Sequence, residues 1–134
     1  MNSDIRFIFL DLGGTFRVID EDPAYLSAAR SEIARLCGVQ TSDPNQWFAD
    51  VIEPRYDKYR EWALKFMCEA PEEVLWTRWL AYDLDRERIR KYASELTYQY
   101  RQSKGRRTVV DGGADTVKEL CERGYTMGLI SDMV

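Results

Sequence analysis

Polar and apolar residues follow different rhythms in different parts of this chain. Ile5, Phe7 and Phe9 alternate with Arg6, Ile8 and Leu10, so both faces of the run are mostly apolar. That pattern predicts a strand buried on both sides of a parallel sheet. The run ends in Asp11-Leu12-Gly13-Gly14-Thr15: a carboxylate, two glycines and a hydroxyl. Open α/β sheets bind ligands outside the carboxyl ends of their strands, and glycines let the backbone come close to a ligand. Asp11 and its loop are therefore a candidate site. Phe16 to Asp20 reads as a short hairpin or flap.

From residue 21 the apolar spacing changes to three and four. Glu21-Asp22-Pro23 signals a helix start, Leu26, Ala29, Ile33 and Leu36 form its stripe, and Gly38 closes it. Ser42-Asp43-Pro44 opens a second helix bearing Trp47, Phe48, Val51 and Ile52, which Pro54 is expected to kink or interrupt. Tyr56 to Met67 continues at helical spacing, and Pro71-Glu72-Glu73 starts another helix with Leu75, Trp76, Trp79 and Leu80. Asp85 caps one long helix with Ile89, Tyr92, Ala93, Leu96 and Tyr100 as its stripe, ending near Gly105. Residues 21–104 thus form a helical block whose many aromatic side chains are read as core.

The alternating pattern then returns. Asp111-Gly112-Gly113 leads into a helix carrying Ala114, Val117, Leu120 and Cys121, which Gly124 ends. Tyr125 to Ile130 is a second buried strand that delivers Ser131 and Asp132 to its carboxyl end; Asp132 is read as a surface acid. Strands separated by helices fit a crossover-connected parallel sheet.

Composition narrows the function. With 134 residues, 45% apolar and 31% charged, the chain is an ordinary globular domain. A net charge of −4 provides no basic excess for nucleic acid, and Lys104-Gly105-Arg106-Arg107 reads as solvated charge near a turn. Histidine is absent and Cys37, Cys68 and Cys121 are scattered, which argues against soft-metal sites and histidine-based catalysis. The cysteines are read as reduced core thiols of a cytoplasmic protein. No leader-like or membrane-length apolar run is seen, so no membrane association is expected.

Asp11-Leu12-Gly13-Gly14-Thr15 after an apolar strand resembles motif I of the haloacid dehalogenase-like hydrolases, Asp-x-Asp-Gly-Thr, with Gly13 in place of the second aspartate. Gly112 to Ser131 resembles that family's second landmark, and the helical block stands where many members carry an inserted cap. The fold the resemblance implies is α/β: an incomplete Rossmann-like parallel sheet from residues 1–20 and 105–134, with a helical cap at 21–104. It implies a phosphatase for a small phosphorylated substrate, with Asp11 the nucleophile that forms an aspartyl-phosphate. Mg²⁺ would be held by Asp11 and the Gly13 carbonyl, and phosphate by Gly14, Thr15 and Ser131, Thr15 mainly orienting the loop.

Three departures bear on activity. Gly13 has no side chain for the acid–base step, and the family's lysine and distal acidic motif do not appear before Val134. The chain is therefore expected to be truncated and weakly active or inactive. A non-catalytic relic that binds phosphate or a partner is the alternative, with self-association or a partner at the open sheet edge. Two further readings are the metal-independent dehalogenase branch and the phosphate loop of actin-like sugar kinases, which Asp-Leu-Gly-Gly-Thr also resembles.

Overall fold

The computed structural model describes residues 5–131. It is a mixed α/β fold that divides into two units, one built from Met1–Asp20 with Arg106–Val134 and the other from Glu21–Gly105.

Among the described residues the first unit holds four short strands and one helix. Strand β1 (Phe7–Asp11) pairs in parallel with β4 (Thr126–Ile130), Phe7 opposite Thr126 and Asp11 opposite Ile130. Strand β2 (Arg17–Asp20) pairs antiparallel with β3 (Arg106–Val109), so the segments that leave and re-enter this unit zip together, Asp20 opposite Arg106. The Arg106-Arg107 pair read as solvated turn charge is therefore strand, and the flap strand finds its partner about ninety positions away rather than in a local hairpin. Short-range patterns carry no signal for such a pairing.

Both strands of the parallel pair were expected to be buried, and they are not. Phe7 is 62% and Phe9 61% exposed, and Leu129 and Ile130 are exposed as well. The reason is arithmetic of layers: a parallel strand is buried when helices cover both faces and neighbours flank both edges. Two strands and the single helix that packs on β4 supply only part of that cover. Phe9 instead lies over its ladder partner Gly128, where a Cβ would meet the ring at 2.7 Å.

The second unit carries the core. All the apolar side chains buried among the described residues lie between Ala29 and Tyr100. Helix α1 (Pro23–Cys37) is capped by Asp22, whose carboxylate accepts from the Ala24 and Tyr25 amides, and is ended by left-handed Gly38. Asp43 caps α2 (Pro44–Trp47) in the same way, accepting from the Gln46 amide at 3.0 Å. At Pro54, where a kink or interruption is expected, the winding changes. A π-helical segment, Phe48–Ile52, precedes α3 (Glu53–Phe66), with the Glu53 amide donating to the Phe48 carbonyl. Proline lacks the N–H that an α-turn needs, and one wide turn before it accommodates that loss.

After α4 (Glu72–Val74) a second π segment, Leu75–Leu80, buries Trp76, Thr77 and Leu80. The single long helix expected after Asp85 is two helices, α5 (Arg86–Lys91) and α6 (Ala93–Gln102). Tyr92, at φ −105° and ψ 11°, breaks the winding between them, yet Ile89, Ala93, Leu96 and Tyr100 all remain in the core. The offset thus preserves the stripe that the sequence displays.

Helix α7 (Gly113–Glu122) then connects β3 to β4. Only Cys37 of the three cysteines is buried; Cys68 and Cys121 are exposed, against the expectation of three core thiols. Cys68 follows the end of α3 in a loop and Cys121 sits in the last turn of α7, places where an apolar neighbour in sequence is no guide to burial. Among the described residues no helix is long and apolar enough to cross a membrane.

Candidate functional site

The site is built where β1 stops. Asp11 is the last residue of β1 and stands opposite Ile130, the last of β4. Neighbouring strands lie about 4.8 Å apart, so Ser131, the next residue after Ile130, emerges beside Asp11 at the same end of the parallel pair. Both side chains are exposed. Asp132 lies outside the described residues.

A tight turn follows Asp11. The Arg17 amide donates to the Leu12 carbonyl at 2.7 Å, and the Gly14 amide donates to the Arg17 carbonyl at 2.9 Å. Gly14 sits at φ +75°, a region that a Cβ makes costly, so the second glycine is required by the turn itself. The Thr15 hydroxyl reaches back over this turn and donates to Asp11 Oδ2 at 3.2 Å. Thr15 therefore fixes the carboxylate's rotamer. The Gly14 amide, counted among the phosphate donors on the resemblance, is occupied by Arg17. Arg17 is the residue that the sequence reading did not single out, because its part is played by backbone atoms alone.

Gly13 differs from Gly14. Its φ is not in the left-handed region, and a Cβ added there meets nothing within 4 Å. Neither backbone strain nor crowding demands a glycine at position 13.

The donor set bears on the expected Mg²⁺. Asp11 is the one carboxylate within the turn, and the Gly13 carbonyl is the second ligand that the resemblance implies. Among the described residues no three of Asp, Glu, Cys and His converge on a point that would hold a metal. Mg²⁺ demands octahedral oxygen coordination, and one carboxylate with one carbonyl is too thin a set to retain it. These residues by themselves do not fit a resident Mg²⁺ site.

Chemically the arrangement offers one exposed carboxylate, Asp11, the hydroxyls of Thr15 and Ser131 near it, and an open glycine at 13. No family model, no curated protein and no solved structure matches this chain.

Proposed function

We propose that this chain is a haloacid dehalogenase-like phosphoryl-transfer module in which Asp11 is the nucleophile, with slow or incomplete turnover. The observation that carries the reading is the placement of Asp11 and Ser131 at adjoining carboxyl ends of the parallel strands β1 and β4. A Rossmann-like core with an inserted helical cap is the architecture that this reading assigns to the two units.

In the first step an Asp11 carboxylate oxygen attacks phosphorus, the new O–P bond forms and the bond to the leaving oxygen breaks. Ser131 provides a hydroxyl donor for the phosphoryl oxygens, and Thr15, whose one O–H is on Asp11, holds the carboxylate in place before attack. The departing oxygen must take its proton from solvent, since Gly13 provides none. In the second step water attacks the acyl phosphate, releasing phosphate and restoring Asp11, again without a positioned base. A general acid–base group contributes about 10²–10⁴-fold, so both steps are slowed. The first suffers least when the leaving group needs no protonation. No step is assigned to a metal ion.

Substrates with good leaving groups, and an acyl phosphate that lingers, are the consequences. The test is incubation with acetyl phosphate and with p-nitrophenyl phosphate, followed by intact-mass and peptide mapping. The expected result is one phosphoryl group on Asp11, absent in Asp11→Asn. Wild-type protein that stays unmodified in both reagents rejects nucleophilic catalysis.

The non-catalytic reading shares the same site, and the absent side chain at Gly13 favours it. Phosphate binding at Ser131 and Thr15 with no covalent adduct would select it. Against the actin-like kinase loop stands the pairing of β2 with β3, because that loop needs the next strand to fold back along β1.

A further inference from the structure

The helical unit has a feature to which the chemistry of Asp11 is irrelevant: a cavity of about 430 Å³ beside the carboxyl end of α1, lined among others by Ser31, Arg35, Val39, Gln40, Thr41 and Arg88. Its volume lies within the range of small-molecule sites, about 300–1,000 Å³. Two guanidinium groups on one such wall call for an account of what each does there.

Arg88 reaches over from α5 and donates from Nε to the Leu36 carbonyl at 2.7 Å and from Nη2 to the Arg35 carbonyl at 2.9 Å. It thereby satisfies the last carbonyls of α1 and is held in place, its guanidinium near the Tyr92 ring. Arg35 uses the same two nitrogens, Nε and Nη2, on the Glu32 carboxylate one turn earlier. Each arginine thus uses one edge, Nε and Nη2, in these bonds, and its Nη1 group takes part in none of them. Arg35 faces the Glu32 carboxylate directly and feels Glu95 as a second, more distant charge, so the wall offers oriented N–H donors more than net positive charge. Ser31, Gln40 and Thr41 add neutral polar groups, and Val39 an apolar patch.

We infer that this cavity binds a small organic oxyanion, its carboxylate or phosphate taken by the Nη1 groups of Arg35 and Arg88 and its body laid against Val39. Oxyanions suit the wall because guanidinium groups present paired N–H donors in a fixed plane that matches carboxylate and phosphate oxygens. The fixed edges matter as much as the Nη1 groups, since arginines already ordered lose little freedom on binding. The Thr41 hydroxyl already accepts from the Asp43 amide at 3.1 Å, which leaves its own O–H to donate. This site stands apart from the Asp11 reading and does not depend on it.

The experiment is an amide NMR titration of the full chain with sodium phosphate and, separately, with sodium butyrate at constant ionic strength. The expected result is saturable shifts at Gly38, Val39, Gln40 and Thr41 with one or both probes, unchanged in Asp11→Asn. The probe that saturates first identifies phosphate or carboxylate as the headgroup. Arg35→Gln should weaken binding at least tenfold. Its side chain is largely exposed, so the fold is expected to survive the change. Arg35→Lys keeps the charge without the planar fork and should recover only part of the affinity. Shifts that do not saturate with either probe overturn the inference. So does binding that Arg35→Gln leaves intact, or shifts confined to Gly13, Thr15 and Ser131.

Discussion

The Thr15 hydroxyl donates to Asp11 Oδ2 across 3.2 Å, spanning a turn that Arg17 closes with both its amide and its carbonyl. The bond joins an exposed hydroxyl to an exposed carboxylate, so its value lies in orientation more than in stability. Thr15→Val should leave the denaturation midpoint nearly unchanged and slow Asp11 phosphorylation by acetyl phosphate roughly three- to tenfold, the equivalent of about 0.5–1.5 kcal/mol for one hydrogen bond. Asp11→Asn should abolish the adduct. Equal rates in wild type and Thr15→Val would mean that the hydroxyl does not position the nucleophile.

Adjacent glycines in this turn should respond in opposite ways. Position 13 is open and free of left-handed strain, so Gly13→Asp is expected to fold normally and to place a carboxyl group two residues after the nucleophile. If Asp11 is the nucleophile, p-nitrophenyl phosphate turnover should rise by about 10²–10⁴-fold, the range for a restored acid–base group. Gly14→Ala must instead adopt φ near +75° and should cost about 1–2 kcal/mol in urea unfolding. A Gly13→Asp protein as slow as wild type would show that the missing side chain is not what limits catalysis.

The two glycines also show how much the sequence could and could not disclose. Asp-Leu-Gly-Gly-Thr after one apolar run placed Asp11 at a strand end and Thr15 in the turn beyond it, and the run Tyr125 to Ile130 placed Ser131, because strand termini and turn residues are written locally. The caps at Asp22, Asp43 and Asp85 were legible for the same reason, each side chain accepting from amides two or three residues ahead. What was not legible depends on distant partners. Burial of Phe7 and Phe9 needs covering layers that no alternation pattern can promise, and the strand at Arg106–Val109 exists because Arg17–Asp20 lies beside it. The π winding at Phe48–Ile52 and Leu75–Leu80 keeps apolar side chains inward as an α-helix would, so periodicity alone does not separate the two. The Arg35–Arg88 wall is likewise invisible, since it joins α1 to α5 across fifty residues.

Within the helical core, Trp76 Nε1 donates to Thr97 Oγ1 at 3.0 Å, and that hydroxyl donates in turn to the Ala93 carbonyl at 3.0 Å. Trp76 is fully buried, so its N–H has no access to water. Thr97→Val fills the same volume but leaves that donor unsatisfied, which should cost about 1–3 kcal/mol. Thr97→Ser keeps the hydroxyl and should cost less than Thr97→Val. Urea midpoints of the two variants check the order, and a Thr97→Val protein as stable as wild type would contradict it.

Alkaline pH should destabilise this protein through identifiable buried groups, Cys37 and Tyr59 among them, with Tyr56 and Tyr100 also pushed up by burial. Burial pushes the Cys37 thiol up to about 12 from its ordinary 9.0, Arg88 opposing the effect. Burial, with the Glu69 carboxylate beside it, pushes the Tyr59 phenol up to about 12 from 10.0. Both groups are neutral when protonated, and both lose their proton more easily in the unfolded chain. Their contribution is therefore complete below pH 9 and is lost as the pH rises from 9 through 12. Cys37→Ala should flatten chiefly the start of the decline, around pH 9, where the unfolded thiol titrates ahead of the unfolded tyrosine. Urea midpoints at stepped pH values measure this, and a stability curve level to pH 11 would refute it.

The last prediction concerns backbone strain at a residue with almost no packing to lose. Met67 ends α3 at φ 50° and ψ 43°, and it is the one positive-φ residue other than glycine among those described. Its side chain is 88% exposed, so little burial compensates for the unfavourable conformation. The turn it forms, with the Met67 and Cys68 amides returning to the Leu64 and Ala63 carbonyls, is the one that glycine usually completes. Met67→Gly removes the Cβ penalty of about 1–2 kcal/mol, while the greater freedom of glycine in the unfolded chain takes back about 0.4–1 kcal/mol. The balance lies between about zero and a gain of about 1.6 kcal/mol, whereas Met67→Val, β-branched at the same torsion, should lose stability. Paired urea melts decide the matter: a destabilised glycine variant would mean that the methionine side chain makes a contribution that its exposure conceals.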